Sequence, residues 1–304
     1  MAIASAEFLD PQALSQLGNL QLISQRVVEG LLGGIHRSPY HGASVEFAEH
    51  RLYTPGDDLR AIDWRAFARS DRYYIKEFEA FTNAPVTLVL DASGSMGFAH
   101  STLTKLFFSQ IAVACIGRLA LYQRDAVGLV VTGKALQDYL PPRAIAGQLA
   151  IMCNMMANVE GAGEGTVASA LTVLAKQQRR RGMVLVFSDC FEDTNPLVDG
   201  MHGLRARGHD VTLFHVMAPE ELSFSFDRWS RFVSLEDASQ VRDLEPSVVR
   251  KAYLKRVRLF IDELKRGCGR AGVHYAPMTT AEPPGLTLSL YLRVRAARRA
   301  SGVA

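Results

Sequence analysis

An acid and two hydroxyls follow an apolar run in the stretch "VTLVLDASGSMG". Asp91 ends the run, and Ser93 and Ser95 come at every second position after it. Residues two apart in an extended segment project to the same side, so we expect these three side chains to converge on one point. Hydroxyl and carboxylate oxygens suit a hard, octahedral cation such as Mg²⁺ or Mn²⁺. The spacing therefore predicts a cation site, and Gly94 and Gly97 are expected to allow a tight turn around it.

The elements that must position these residues are short apolar strands that alternate with helices from residue 85 onward. Strand-like runs at 86–90, 127–132, 183–187 and 211–217 are separated by segments with helical character. Continuous apolar strands alternating with helices indicate βαβ units and a parallel sheet that is covered on both faces. The expected fold class is therefore α/β, with a doubly wound, mostly parallel sheet.

A second acid, Asp189, has the same setting as Asp91, because it follows the apolar run of "MVLVFSDC". In open α/β sheets, ligands bind beyond the carboxyl ends of the strands, where the strand order reverses. If the order is the common 3-2-1-4-5-6, the two strands that end in acids are neighbours at that reversal. Both carboxylates are then expected to face one crevice. A second interpretation stays open, in which both acids cap the helices that follow their strands.

Three segments carry clear helical patterns. The segment "STLTKLFFSQIAVACIGRLALYQ" is apolar on most sides, which predicts a helix that is covered on both faces. The segment "VASALTVLAKQQRRRG" predicts a helix that ends in three arginines, with Gly182 as its stop signal. Residues 247–266 predict an amphipathic helix with a solvated basic face.

Composition bounds the class of protein. The 304 residues are 48% hydrophobic, which is enough for a sizeable core. The net charge of +3 is nearly balanced and no nucleic-acid-binding module is recognisable, so nucleic-acid binding is not expected. No apolar run approaches the ~20 residues that span a bilayer, and the start does not resemble a secretory signal. Four scattered cysteines without a CxxC pair suit reduced thiols, and we expect a cytoplasmic protein.

The motif "DASGSM" resembles the D-x-S-x-S of von Willebrand factor A domains. In those domains, a threonine from a second loop and an aspartate from a third complete a metal-ion-dependent adhesion site. The resemblance implies that Thr166 in "GEGT" and Asp189 in "FSDC" hold these two places. It also implies that Asp91, Ser93, Ser95, Thr166 and Asp189 bind Mg²⁺ (or Mn²⁺). One coordination position then stays open for the acidic side chain of a partner protein.

The segment upstream of the first main strand resembles the signature of a bacterial family catalogued as domain of unknown function 58. It includes "RLYTPGDDLRAIDWRAFARSDRYYIKEFE", which in that family runs directly into a von Willebrand A-like domain. The similarity continues in "YAPMTTAEPPGLTLSLYLRVR", which implies a closing strand and a final helix. Members are thought to act with MoxR-type AAA+ ATPases in complex assembly or metal insertion. The resemblance therefore implies such an ATPase, or its client, as the partner.

The chain is expected to consist of two parts. Residues 1–84 form an N-terminal extension with the GDDLRAIDW signature, and residues 85–304 form the von Willebrand A-like domain with C-terminal helices. In the extension, "RYYIKEF" alternates like a strand and is expected to pair at the edge of the sheet. Arg60 and Arg65 are hypothesised to contact the ATPase. The alternative is that their segment only braces the A-like domain.

The residues favour a non-enzymatic protein-interaction module over two alternatives that stay open, and the family resemblance implies that this module is an adaptor or co-chaperone. One alternative is a metal-dependent hydrolase that uses the same acidic site, and the other is a metal-free structural scaffold. The nucleophile-elbow pattern G-x-S-x-G is incomplete, because Ser93 stands in the place of its first glycine. The chain also has no G-x-x-x-x-G-K-[ST] phosphate loop, so ATP hydrolysis by the chain itself is not expected.

Overall fold

The structure is a computed structural model, and it describes residues 19–35, 50–52, 72–76, 85–132, 138–159, 166–226, 230–233, 235 and 241–300. The chain divides into two compact units, one of residues 1–32 with 84–304 and one of residues 33–83. The GDDLRAIDW signature, with Arg60 and Arg65, lies outside the described residues.

Ten strands and eight α-helices are present in the described parts of the chain. The strands are β1 (His50–Leu52), β2 (Tyr74–Lys76), β3 (Val86–Asp91), β4 (Val127–Thr132), β5 (Asp138–Arg143), β6 (Met183–Ser188), β7 (Asp210–Met217), β8 (Ser230–Val233), β9 (Val241–Leu244) and β10 (His274–Thr279). The helices are α1 (Leu20–Ile35), α2 (Lys105–Tyr122), α3 (Gln148–Ala157), α4 (Val167–Gln177), α5 (Thr194–Ala206), α6 (Pro219–Ser223), α7 (Pro246–Arg270) and α8 (Pro284–Ala300).

The larger unit is built on a six-stranded sheet with the strand order β10-β7-β6-β3-β4-β5. Neighbouring strands are parallel except β4 and β5, which are antiparallel. Numbered along the chain within this sheet, the order is the common 3-2-1-4-5-6 on which the expected position of the two acids depended. The strand order therefore reverses at β3, and β6 is its neighbour. The predicted α/β fold class and the four predicted strands are confirmed.

Helices cover both faces of this sheet, which confirms the doubly wound arrangement. Leu88 and Leu90 of β3 belong to one buried cluster, and Val89 between them belongs to another. The alternation follows from the two-residue period of a strand. Helices α1, α2, α3 and α8 contribute to the first cluster, and α4, α5 and α7 contribute to the second.

Helix α2 is the predicted apolar helix, and it lies in the core. It contacts β3, α3 and α8. By length and composition alone it could cross a membrane, but 72% of it is buried within the fold. A helix that is apolar on all sides needs such burial in a globular unit.

Helix α4 ends earlier than predicted. Its last residue is Gln177, so the three arginines follow the helix instead of ending it. Gln178 leaves the helical conformation, and its side-chain oxygen accepts a hydrogen bond from the Thr87 hydroxyl of β3 at 2.9 Å. This buried contact lies at the end of the helix, well before Gly182, so the interpretation of Gly182 as its stop signal was wrong.

The predicted strand in "RYYIKEF" exists, but its predicted pairing is wrong. Strand β2 pairs antiparallel with β1 in a separate two-stranded sheet. The edges of the six-stranded sheet are β10 and β5. A two-residue period specifies an extended segment but does not specify its neighbour.

The C-terminal predictions are confirmed. Helix α7 contains the predicted amphipathic segment, with Val257 and Leu264 buried and Lys255 and Arg258 exposed. Strand β10 and helix α8 are the closing strand and final helix that the family resemblance implied.

Candidate metal centre

Asp91 is a buried carboxylate at the carboxyl end of β3. One oxygen, Oδ1, accepts hydrogen bonds from the Ser93 N–H at 3.0 Å and the Thr132 hydroxyl at 3.2 Å. The other, Oδ2, accepts from the Ser188 hydroxyl at 2.5 Å. Thr132 and Ser188 are the last residues of β4 and β6, so the ends of three adjacent strands hold this carboxylate. Burial, and then the negative charge of Asp189, raise the pKa of Asp91.

The hydroxyls of Ser93 and Ser95 converge beside Asp91. Their Oγ atoms are 3.1 Å apart. The two hydroxyls converge because Gly94–Gly97 form a 3-10 turn. The prediction had attributed their convergence to an extended segment. The chain does turn tightly at Gly94–Gly97, and this turn needs no positive φ, since the positive-φ glycines of the described residues are Gly208 and Gly272.

Asp189 is buried just after β6, in a turn with backbone strain. Its Oδ1 accepts a hydrogen bond from the Phe191 N–H at 3.1 Å, and its Oδ2 lies 2.6 Å from Nζ of Lys105. Cys190, which lies between Asp189 and Phe191, has a φ of 57°, in the left-handed region that non-glycine residues rarely adopt. The Cys190 N–H donates to the Ser188 hydroxyl at 2.8 Å, which stabilises the turn. The carboxylate of Asp189 is therefore fixed and already paired.

Lys105 is the feature of this centre that the sequence analysis missed. Its side chain is fully buried, and Nζ also lies 2.5 Å from Oε1 of Glu221 in α6. The rings of Phe191 and Phe98 lie 4.7 and 5.8 Å from Nζ. Burial raises the pKa of Glu221, although Lys105 opposes this. A lysine that begins an otherwise apolar helix was the available signal, because a buried lysine needs an acidic partner.

Thr166 lies at the start of α4, on the surface. Its hydroxyl oxygen accepts a hydrogen bond from the Ser169 N–H at 3.2 Å, so it caps the helix. Within the described ranges, no hydrogen bond or ion pair joins its side chain to the other four predicted residues. The same helix start is bonded to Glu192 from the Asp189 loop, whose Oε2 accepts from the Ala168 N–H at 3.5 Å. Burial raises the pKa of Glu192 to about 7, and the charges of Asp91 and Asp189 add to this.

The interpretation of Asp91 and Asp189 as helix caps was wrong. The N-cap of α2 is Thr104, whose hydroxyl oxygen accepts from the Phe107 N–H at 3.1 Å. The N-cap of α5 is Asp193, which accepts from the Asn195 N–H at 3.1 Å. Both strand-end acids are therefore free of a capping role for these helices.

His215 supports the Asp189 loop without adding positive charge. Its Nε2 lies 3.1 Å from the Asp189 carbonyl oxygen, and its Nδ1 lies 2.7 Å from the Tyr275 hydroxyl. Burial lowers the pKa of His215 to about 4. The imidazole is therefore neutral near pH 7.

The donor set fits a hard divalent cation at one part of the centre. Asp91, Ser93 and Ser95 provide only oxygen atoms, the ligand type that Mg²⁺ and Mn²⁺ prefer. Among the described residues, no lysine or arginine pairs with Asp91, and no group of three or more His, Cys, Asp or Glu is placed to hold a metal. A metal here would therefore depend on the hydroxyls. Buried negative charge without a counter-ion is unfavourable, so a cation beside Asp91 would be stabilised.

Comparisons with known sequences concern proteins without an assigned activity. The family described as "Protein of unknown function DUF58" matches residues 49–259. The chain is 28% identical over 247 residues to the uncharacterized protein Rv1480 of Mycobacterium tuberculosis, with 80% of this chain and 74% of that protein covered. The same identity and coverage hold for the uncharacterized protein Mb1516 of Mycobacterium bovis.

Several solved structures are similar at low identity. They include the conserved hypothetical protein BatB from Bacteroides thetaiotaomicron, at 15% identity and a TM-score of 0.44, covering 70% of this chain and 99% of that chain. The SpRpn10 VWA domain has 11% identity and a TM-score of 0.37, covering 67% of this chain and 93% of that chain. These similarities concern the fold alone.

Proposed function

Because this chain belongs to the family described as Protein of unknown function DUF58, its function has to be inferred from its own site, and we propose that it is a non-enzymatic interaction module that binds a protein partner through a divalent cation. The family match confirms the resemblance of the upstream signature. One observation carries the proposal: Asp91 is a buried carboxylate at the reversal of strand order, with two hydroxyls beside it and no cationic partner among the described residues.

Asp91, Ser93 and Ser95 are the proposed ligands of Mg²⁺ (or Mn²⁺), and Thr166 and Asp189 are the outer members of the set. Hydrogen bonds from Thr132 and Ser188 orient the Asp91 carboxylate. The ion, when bound, supplies a positive charge that can attract a glutamate or aspartate of the partner. Charge-assisted contacts of this kind depend on both members being present.

The surface beside this centre offers apolar contact to the same partner. Phe191, next to the Asp189 turn, is 46% exposed, and Leu222, next to Glu221, is 43% exposed. Exposed apolar side chains beside a charged centre are typical of binding surfaces. The partner segment is therefore expected to carry an apolar residue near its acid.

The proposed partner is a MoxR-type AAA+ ATPase or its client, and the proposed role is that of an adaptor or co-chaperone in complex assembly or metal insertion in the cytoplasm. The family resemblance supports this choice. Arg60 and Arg65 are proposed as a second contact with the ATPase.

The test is a binding assay with the purified chain and the MoxR-type ATPase of the same bacterium. We expect retention of the ATPase in Mg²⁺ to fall by about ten-fold or more in chelator, and equally in Asp91→Ala, because either change removes the ion. The control is Asp193→Asn, which keeps the cap of α5 and leaves the centre intact.

Two results would contradict the proposal. Equal retention in Mg²⁺, in chelator and with Asp91→Ala would favour a metal-free scaffold. Turnover of phosphate or ester substrates in Mn²⁺ that Asp91→Ala abolishes would favour the metal-dependent hydrolase. Thermal unfolding of each variant checks that the fold persists.

A further inference from the structure

Lys105 is a positive charge built into the candidate metal centre. It is the first residue of α2 and its side chain has no exposed surface. The start of a helix favours negative charge and disfavours an ammonium group, and a buried charge is stable only when it is paired. The two ion pairs with Asp189 and Glu221 therefore hold Lys105 in place.

These ion pairs leave the charge of the centre only partly balanced. Lys105 faces the carboxylates of Asp189 and Glu221, while Asp91 has no cationic partner among the described residues. Asp91 and Asp189 are held near each other, because the hydroxyl of Ser188, the residue before Asp189, donates to Asp91 at 2.5 Å. An ion beside Asp91 would consequently feel attraction from both aspartates and repulsion from the ammonium group.

We propose that Lys105 sets the divalent-cation affinity of this centre, because its ammonium group competes with the ion for Asp189. This inference rests on the proposed function and concerns the same site. In the metal-free protein, Lys105 is the resident counter-ion of Asp189. A divalent ion at Asp91, Ser93 and Ser95 then binds weakly, since Asp189 is committed elsewhere and like charges repel.

Lys105 also connects the centre to α6. The same ammonium group bonds Asp189 and Glu221, and the Glu221 Oε2 accepts the Ala218 N–H at 2.8 Å at the start of that helix. Loss of Asp189 to an ion would leave Lys105 with Glu221 as its sole carboxylate partner among the described residues. Leu222, which is exposed, directly follows Glu221. Binding of an ion at the centre would therefore change the contacts of the residue next to this exposed side chain.

The experiment is a Mn²⁺ titration of the purified full chain by calorimetry. We expect the Kd for Mn²⁺ to fall by about ten-fold or more in Lys105→Met, because one nearby positive charge is removed. Lys176→Met, at an exposed position in α4, is the matched control and is expected to leave the Kd unchanged.

A second variant distinguishes an effect on Mn²⁺ binding from a folding defect in Lys105→Met. Lys105→Met leaves two buried carboxylates without their cation, whereas Lys105→Met combined with Glu221→Gln removes one charge of each sign. We expect the double variant to bind Mn²⁺ more tightly than the wild type. We also expect a larger rise in Tm on Mn²⁺ addition, since an ion that binds only the folded state stabilises it.

The outcomes separate this inference from the proposed function. A Kd that is unchanged or higher in both Lys105 variants, with Asp91-dependent binding in the wild type, overturns the inference alone. Absence of Mn²⁺ binding in every protein overturns both. Binding that appears only in the Lys105 variants, and disappears when Asp91→Ala is added, supports the inference and counts against metal binding by the wild type.

Discussion

At the residue scale, the electrostatic properties of this centre depend on individual buried charges. Asp91 is the last residue of β3, whereas Asp189 follows the last residue of the neighbouring β6, and the surroundings of the two acids differ. Hydroxyl and amide donors hold Asp91, whereas an ammonium group holds Asp189. The two acids therefore differ in charge balance, because Asp189 has a cationic partner and Asp91 has none among the described residues.

His215 predicts a loss of stability in acid. Its pKa of about 4 in the folded state lies below the ordinary 6.5. Between these values the unfolded chain binds more protons, so the free energy of unfolding falls as the pH falls. We expect this residue to contribute a loss of about 2 kcal/mol between pH 7 and pH 5. Chemical denaturation at both pH values measures it.

The variant that tests this prediction is His215→Gln. Its free energy of unfolding should fall less between pH 7 and pH 5 than that of the wild type, because the contribution of His215 is absent. His202→Gln, at an exposed position in α5, is the control and should keep it. An unchanged pH dependence in His215→Gln would show that other groups account for the acid sensitivity.

At the element scale, the ends of strands and helices place the site. The last residues of β3, β4 and β6 are Asp91, Thr132 and Ser188, and the hydroxyls of Thr132 and Ser188 both donate to the Asp91 carboxylate. The first turn of helix α4 contacts the loop after β6, because the Ala168 N–H donates to Glu192 of that loop. The site depends on the register of three strands, because a shift of one residue would turn each end residue to the other face.

The close approach of the backbone at Gly182 predicts that the register of β3 and β6 tolerates no added side chain at this position. A Cβ at this position would lie 2.1 Å from the Pro85 carbonyl oxygen, and that oxygen accepts the Met183 N–H at 2.9 Å where β3 and β6 begin. Backbone atoms in a ladder cannot move aside, so we expect Gly182→Ala to lower the free energy of unfolding by about 3 kcal/mol. Chemical denaturation measures the change.

The matched control is Gly203→Ala in α5, where a Cβ meets nothing within 4 Å. Alanine favours a helix over glycine, so this change should raise the free energy of unfolding by about 0.5–1 kcal/mol. Similar effects of the two substitutions would contradict the close approach at Gly182.

At the scale of the whole molecule, the larger unit owes its stability to a sheet buried on both faces. Helix α2 is buried on one face of this sheet, and α4, α5 and α7 pack on the other. All four cysteines are buried free thiols in this unit, as the scattered pattern predicted.

These thiols predict slow labelling of the native protein. Burial raises the pKa of Cys153 and Cys268 to about 11, and it also raises the pKa of Cys115 and Cys190. The reactive species is the thiolate, so we expect an aromatic disulfide reagent to label none of the four until the unit unfolds. Labelling rates across a denaturant series measure this.

A surface variant, Ser247→Cys, provides the positive control, since residue 247 is exposed. It should react at once in the native protein. Rapid labelling of the wild type under native conditions would contradict the burial of the thiols.

The sequence by itself determined the α/β class, the main strands and the grouping of Asp91, Ser93 and Ser95. These features follow from local signals: apolar runs, alternation, and the spacing of a short motif. The partner of β2, the end of α4 and the true helix caps were not predictable in this way, because each depends on a contact with another segment.

Only the tertiary structure decided which charges meet. Lys105 is 84 residues from Asp189 and 116 residues from Glu221 along the chain, and no periodicity connects positions so far apart. The lysine was visible in the sequence, but its partners were not. Burial made the pairing obligatory, since an unpaired ammonium group in a dry core is too unfavourable to persist.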